Sequence, residues 1–346
     1  MKVCVLGDTH FGAKMDSIQF HDHFELFYKN IFFPYIDEND IKVVFQLGDL
    51  FDRRKTVNLL TLHRSKEYFF EEIRKRPDVK FYCLVGNHDT YHKNTNRINS
   101  PELLLKEYEN FIVINDPSEI VIDEIPLAII PWICQDNELE ISRFIENTKA
   151  QILMGHLELK GFQMYRGSVN LHGHDSNMFK KFDMVLSGHF HHRSSKGNIH
   201  YVGTPYEITW SDADDPRGFH ILDLETRDLT FIRNPYIMHK KILYDGGEVD
   251  EIPFVSGLYV KVFVKSKTDQ KHFDNFILQL ESQNPYELNV LEDKVSLLSD
   301  SKVILETKDT TSIIETVVSD IEVNKVDKEE LKSVLVSLYN DALRIS

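Results

Sequence analysis

Residues 43–52 read Val-Val-Phe-Gln-Leu-Gly-Asp-Leu-Phe-Asp. A short run of β-branched and aromatic residues that stops at Gly48-Asp49 is the pattern of a buried strand meeting a turn. The same pattern recurs along the chain. Apolar runs at 3–7, 79–85, 152–155 and 184–188 lead into Gly7-Asp8-Thr9-His10, Gly86-Asn87-His88-Asp89, Gly155-His156 and Gly188-His189-Phe190-His191. A further apolar run spans 127–132. Between the runs lie helical patterns near 17–37, 56–76, 101–108 and 137–147, and the second of these stops at Pro77. Strands alternating with helices predict an α/β layer structure.

From 199 to 233 the runs IHYVG, GFHILDL and LTFIR follow one another across turn residues, so added strands should finish a sheet or sandwich. A smaller unit should begin near 239, with a strand at 257–265, a helix at 269–283 and a strand at 286–292. The stretch 293–308 is polar and reads as a linker. Two helices should follow: Ile313, Ile314, Val317 and Ile321 line the first. The second opens on Asp327 and Glu330, spaced like a capping box, and carries a stripe of Leu331, Val334, Leu335, Leu338 and Ala342.

A chain of 346 residues fits two or three domains. Its 42% apolar and 27% charged residues are those of a soluble globular protein with a core that needs no disulfides. Cys4, Cys83 and Cys134 sit in apolar runs without a CxxC pair and read as small buried hydrophobes in a reducing compartment. No run approaches the roughly 20 apolar residues of a membrane span. Asp8 cuts the first apolar run, so no signal peptide is expected and the protein reads as cytoplasmic. The net charge of −15, from 40 basic and 55 acidic residues, argues on its face against a nucleic-acid partner. Much of that acidity lies after residue 205, however, charges beyond about 8 Å are screened at physiological salt, and divalent cations would dominate the field at a bound phosphate.

The Asp, Asn and His clusters all fall at the carboxyl ends of predicted strands, the rim where ligand sites form in open α/β sheets. Each alone is readable as a turn or a structural histidine; five together, all offering oxygen or imidazole donors, point to a metal centre. In an extended chain positions i and i+2 share a face, so Asp8 and His10 can grip one ion. His189 and His191 have the same spacing and span roughly 7 Å, which suits two neighbouring ions. Paired ions stand about 3.5–4 Å apart and need a bridging ligand, for which the two oxygens of Asp49 qualify. Oxygen and imidazole donors without thiolate suit Mn²⁺, Fe²⁺ or Zn²⁺. Adjacent Asn87 and His88 should point apart, one toward metal and one toward substrate, where a neutral imidazole near a phosphate could protonate a leaving alkoxide.

The set GDTH, GDLFD, GNHD, GH and GHFH resembles the calcineurin-like metallophosphoesterase superfamily, and its order and spacing are similar to the SbcD-type nuclease subunits, those of T-even phages above all. Supporting residues are Ile130-Pro131-Trp132, Gly155-His156-Leu157-Glu158-Leu159, Gly203-Thr204-Pro205-Tyr206 and Asp215-Pro216-Arg217-Gly218-Phe219. The resemblance is strong over 1–235 and covers the rest in layout. It implies a four-layer αββα sandwich over 1–238, a small β-α-β cap for DNA recognition at 239–295, a linker at 296–308 and partner-binding helices at 309–346. It implies that Asp8, His10, Asp49 and His191 hold one ion, that Asp49, Asn87, His156 and His189 hold the other, and that His88 is the catalytic, non-ligating histidine. The ions implied are Mn²⁺, with Mg²⁺ the alternative. Asp52 stands where some relatives carry a second substrate-facing histidine, and a carboxylate cannot donate as an imidazolium does, so its role stays open.

The implied activity is DNA hydrolysis, exonucleolytic and endonucleolytic, by water activated between two cations with His88 assisting departure of the sugar hydroxyl. The implied setting is recombination, repair and replication, in the host cytoplasm for a phage protein. The implied partners are an SMC-like coiled-coil ATPase, docked on 309–346, and a second copy bound through the nuclease domain. Arg53-Arg54-Lys55 reads either as a contact to DNA phosphates or as a solvated helix start; Lys160, Arg166, Arg193 and Lys196 are weaker candidates. Leu59, Leu60, Leu62, Phe69, Phe70 and Ile73 leave helix 56–76 apolar on more than one side, as in a buried helix or a dimer seam. Two rivals share the motifs: a small-molecule phosphatase or nucleotide phosphodiesterase, and an interaction subunit without chemistry.

Overall fold

A computed structural model describes residues 1–165, 167–247 and 251–292, together with positions 318, 328, 331, 334 and 335. Arg166, the predicted linker and most of 309–346 lie outside the described residues. The chain separates into two units, Met1–Glu292 and Asp293–Ser346. The five described positions of the second unit are all helical.

Two six-stranded sheets organise the first unit. One runs Leu229–Arg233, Gly218–Asp223, Lys2–Leu6, Val43–Gln46, Lys80–Leu84, Phe111–Ile114. Its last four strands are parallel and the first two antiparallel. The other runs Ser194–Lys196, Ile199–Tyr201, Met184–Gly188, Ile152–His156, Ile125–Ile130, Ser118–Ile122, with a parallel centre and an antiparallel strand at each edge. The central strands are buried along nearly their whole length, as parallel strands covered on both faces must be.

Side-chain alternation then separates the cores. Val3, Val5, Val43 and Phe45 of the first sheet meet Leu127, Ile129, Ile152, Met154 and Leu186 of the second. Cys4, Leu6, Val44, Phe81 and Cys83 face the opposite way, onto Phe20, Phe24, Phe27, Phe32, Phe33, Phe69 and Ile73 of the helices on that side. The outer face of the second sheet, Ala128, Ile130, Leu153 and Val185, covers Ile141 and Ile145 of helix Glu138–Asn147. The result is the expected helix–sheet–sheet–helix stack.

The helix predicted from 56 begins at Leu59, because the Asn58 side chain accepts the Leu60 N–H and fixes 58 as its cap. It passes through a π turn at Lys66–Phe70 and ends at Arg74. Phe69, Phe70 and Ile73 are buried as a core helix requires, whereas Leu59 is 81% exposed. The segment predicted as helix over 101–108 forms only Ser100–Leu104.

Residues 239–292 form a third sheet of three parallel strands, His239–Tyr244, Tyr259–Val264 and Glu287–Glu292, with helix Gln270–Glu281. The predicted β-α-β is there, and His239–Tyr244 adds a strand to it. Tyr244, Val260, Val262, Phe273, Phe276 and Leu280 make its own core. Buried Glu207 ties its start down, accepting from the Met238 and His239 N–H groups at 2.9 and 2.7 Å. Among the described residues no helix is long and apolar enough to cross a membrane.

Candidate metal centre

Parallel strands end on one side, and the two sheets bring their carboxyl rims together. The Gly7–His10, Gly48–Asp52, Gly86–Asp89, Gly155–His156 and Gly188–His191 turns therefore meet. Gly48, at φ 98°, permits the sharpest approach: a side chain there would strike the His156 ring. Asp49, His10 and His189 also have positive φ, at 52°, 42° and 82°. Such strain persists only where surrounding contacts over-determine it, and they do. The Asp49 carbonyl accepts the Thr9 and His10 N–H groups at 3.2 and 3.0 Å. Its side chain accepts the His88 N–H at 2.7 Å. The Asp8 carboxylate accepts the His189 N–H at 2.9 Å.

The donor atoms fall into groups. Those of Asp8, His10 and His191 lie within 4.8 Å of one another, and so do those of Asp49, His156 and His189. Asn87 joins the second group, its Oδ1 lying 2.9 Å from His156 Nε2 and 2.8 Å from His189 Nδ1. Asp49 Oδ2 stands between the groups, 3.4 Å from His156 Nε2 and 3.9 Å from His10 Nε2. Asp8, His10 and His191 thus gather on one side of Asp49 Oδ2, and His156, His189 and Asn87 on the other.

The chemistry of these atoms fits cations. His156 Nδ1 donates to the Leu47 carbonyl at 2.7 Å, so Nε2 is the atom that faces Asp49 Oδ2 and Asn87 Oδ1. Positive charge is called for there, and in the ion-free chain a proton on Nε2 supplies it. The electrostatics agree. Burial opposes charge on His10 and His156, yet Asp52 and Asp49 for the first, and Asp49 for the second, push both up to about 9. The rim is short of positive charge.

His88 is half-buried and gathers with His10 and Asp52, their donor atoms lying within 4.8 Å of one another. Its Nδ1 donates to the Asp52 carbonyl at 2.5 Å, and burial lowers its pKa, so a neutral ring presents Nε2. The Asp52 carboxylate lies 3.4 Å from His10 Nδ1, too oblique for a well-formed hydrogen bond. Asp52 therefore borders both histidines: its main chain orients His88 and its side chain faces His10.

The basic candidates separate. Arg53 pairs with Asp16. Arg54 Nη1 donates to Thr90 Oγ1 at 3.1 Å, beside the His88 turn. Lys55 is exposed and lies 5.8 Å above the Tyr91 ring. Lys160, Arg193 and Lys196 are exposed, and the Arg193 guanidinium stacks on Phe231 at 3.9 Å.

Two residues gain weight from the structure. Asp89, which closes the GNHD motif, accepts the Leu50, Phe51 and Gly86 N–H groups at 3.0, 3.2 and 2.9 Å, locking two rim turns together. The Trp132 ring lies 5.2 Å from His189 and 5.9 Å from His156, walling one side of the centre. Their position in short motifs was the available signal; their partners were not visible in sequence.

Residues 1–193 match the family model described as calcineurin-like phosphoesterase. The chain is 32% identical to "Exonuclease subunit 1" of Enterobacteria phage T4, over 99% of each chain. It is 23% identical to a subunit of the SbcCD nuclease of Staphylococcus epidermidis, over 79% of this chain and 78% of that one. It is 24% identical to "DNA double-strand break repair protein Mre11" of Sulfolobus acidocaldarius, over 87% and 80%. With a family model matched over more than half its length, and a full-length relative that shares about a third of its residues, the chain belongs to the calcineurin-like phosphoesterase family.

Proposed function

We propose that this chain is a divalent-metal-dependent DNA nuclease and the phosphodiesterase subunit of an ATPase–nuclease complex that acts in recombination, repair and replication. The observation that carries the reading is Asp49 Oδ2 placed between His10 and His156, with a set of donors on either side. The names of the three relatives given above, two nucleases and a DNA double-strand break repair protein, support DNA as the substrate.

Two divalent ions, best matched by Mn²⁺ with Mg²⁺ the alternative, would be held by Asp8, His10, Asp49 and His191 and by Asp49, Asn87, His156 and His189, and when bound supply the Lewis-acid and water-activating chemistry of phosphodiester hydrolysis. The protein's own part follows from the hydrogen bonds. Asp52 O fixes the His88 proton at Nδ1. Nε2 can then take up a second proton and pass it to the departing sugar oxygen. A depressed pKa makes that imidazolium a better acid.

Residues 239–292 serve as the DNA-recognition cap in this reading, and 309–346 dock on an SMC-like coiled-coil ATPase. Exposed Met15, Ile18 and Leu59, 87%, 53% and 81% accessible, support a homodimer seam where the nuclease-domain helices begin. Arg54 and Lys55, beside the His88 turn, are better placed to meet DNA phosphates than Arg53. The protein would work in the cytoplasm.

Linear duplex DNA and p-nitrophenyl phosphate, each with Mn²⁺, test the substrate class. Cutting of DNA with slow monoester turnover is expected. Rapid monoester turnover with intact DNA would assign a small-molecule phosphatase. Deleting 309–346 should abolish ATPase association and leave Mn²⁺-dependent cutting; unchanged association removes that role.

A further inference from the structure

The motifs Gly203-Thr204-Pro205-Tyr206 and Asp215-Pro216-Arg217-Gly218 supply none of the expected metal ligands, yet their side chains are among the most deeply buried polar groups near the rim. Arg217 is 4% exposed, Thr204 1% and Tyr206 0%, and Asp212, in the stretch between the two motifs, is 1% exposed.

Arg217 uses both Nη atoms of its fork, while its Nε has no hydrogen-bond partner among the described residues. Nη1 donates to the His191 carbonyl and, at 2.8 Å, to Thr204 Oγ1. Nη2 donates to Asp212 Oδ1 and Asp215 Oδ2, both at 2.9 Å. The Thr204 N–H also reaches the His191 carbonyl, at 3.2 Å. Asp212 is anchored in turn, its Oδ2 accepting the Ile208 and Thr209 N–H groups at 2.8 Å each. On the other side of the same segment the Tyr206 hydroxyl donates to the Thr9 carbonyl at 2.5 Å. Its ring is held flat on Phe24, with centroids 3.7 Å apart and an interplanar angle of 16°. One segment thus grips two backbone carbonyls: Thr9, between Asp8 and His10, and His191 itself. No hydrogen bond runs from it to Asn87, His156 or His189 among the described residues.

We propose that residues 203–217 are the positioning device for one of the two ion sites, with Arg217 and Tyr206 presenting Asp8, His10 and His191 together. This rests on the metal-centre reading above. A planar five-donor guanidinium can serve a carbonyl, a hydroxyl and two carboxylates at once; an ammonium cannot. Groups that orient metal ligands typically matter 10–100-fold for affinity, and here the effect should fall on one ion.

Mn²⁺ titrated into the metal-free full-length chain, followed by calorimetry and by the electron paramagnetic resonance of unbound Mn²⁺, separates the cases. Wild type should take up two ions. Arg217→Lys and Tyr206→Phe, with circular dichroism showing a folded chain, should each keep one site near wild-type affinity and weaken the other roughly 10–100-fold. His156→Ala, deprived of the Asn87 site, should respond to added Tyr206→Phe with its remaining site weakened by the same roughly 10–100-fold factor. If Arg217→Lys fails to fold, Tyr206→Phe decides, because it retains the ring stack on Phe24. Two sites at wild-type affinity in Tyr206→Phe overturn the proposal, and so does equal weakening of both, which would mark a general loosening. A wild type that binds no ion overturns the metal-centre reading itself.

Discussion

His10 and His191, 181 positions apart in the chain, point their Nε2 atoms at one another across 3.0 Å. His10, pushed against burial up to about 9 by Asp52 and Asp49, donates its Nε2–H to the neutral His191 ring, so in the ion-free chain a proton stands where both rings would face a cation. A divalent ion replaces that single proton among the nearby carboxylates, so ion binding should stabilise the fold. A ligand that binds only the native state at 100 times its Kd adds about 2.7 kcal/mol per site. Mn²⁺ should raise the melting temperature of chelator-stripped protein, and His10→Ala or His191→Ala should blunt the rise. A melting temperature indifferent to both EDTA and Mn²⁺ would count decisively against the centre.

The His88 donor atom gathers with those of His10 and Asp52 rather than with either group that flanks Asp49, and its Nδ1 is committed to the Asp52 carbonyl. His88→Ala should therefore keep the Mn²⁺-dependent rise in melting temperature while DNA cutting falls about 10²–10⁴-fold, the usual worth of a positioned general acid. Cutting at the wild-type rate would remove it from the mechanism.

The rim was legible in the sequence because each polar cluster directly follows an apolar run, and parallel strands leave their carboxyl ends no choice but to gather. Asp8, Asp49, His156 and His189 could be placed from that alone. What escaped depends on backbone groups and side-chain partners that residue type does not encode. The carbonyl of Asp52, rather than its carboxylate, holds His88. Arg53 pairs with Asp16, which sits in a left-handed turn at φ 62° that no composition rule foresees. The hairpin of Thr90–His92 and Thr95–Asn99, directly after the His88 turn, is too polar and exposed to show a strand alternation. His239–Tyr244 went unread as a strand because Lys240 and Lys241 interrupt its apolar pattern.

Asp89 is the cleanest test of how the rim is held. Its carboxylate is buried and receives three backbone N–H groups from two turns. Asp89→Ala leaves all three donors without their acceptor, each an expense on the order of 1–3 kcal/mol. Urea unfolding should shift to markedly lower denaturant, and Mn²⁺ should recover only part of the loss. Asp89→Asn, which keeps one acceptor oxygen, should fall between. An unshifted urea midpoint for Asp89→Ala would show that the turns stand without it.

Acid sensitivity should arise away from the rim as well. His23 and His220 are buried, and among the described residues His23 Nε2 and His220 Nδ1 have no hydrogen-bond partner. Burial, with His239 nearby, lowers His23 to about 4. Burial, with Arg193 and His200 nearby, lowers His220 to about 3. An unfolded histidine titrates near 6.5, so below that pH the unfolded chain binds protons that the native chain refuses. The stabilisation is complete above about pH 6.5. It drains as pH falls toward about 4 for His23 and about 3 for His220, by up to about 1.4 kcal/mol per pH unit for each. His23→Gln and His220→Gln remove the titrating group. Measured in EDTA, so that ion binding does not contribute, each should have a shallower loss of unfolding free energy between pH 6.5 and 4 than wild type, whatever its stability at pH 8. Parallel pH profiles for wild type and both variants would show that these rings titrate alike in the folded and unfolded chain, and the acid limb would then have to come from the carboxylates and histidines of the rim.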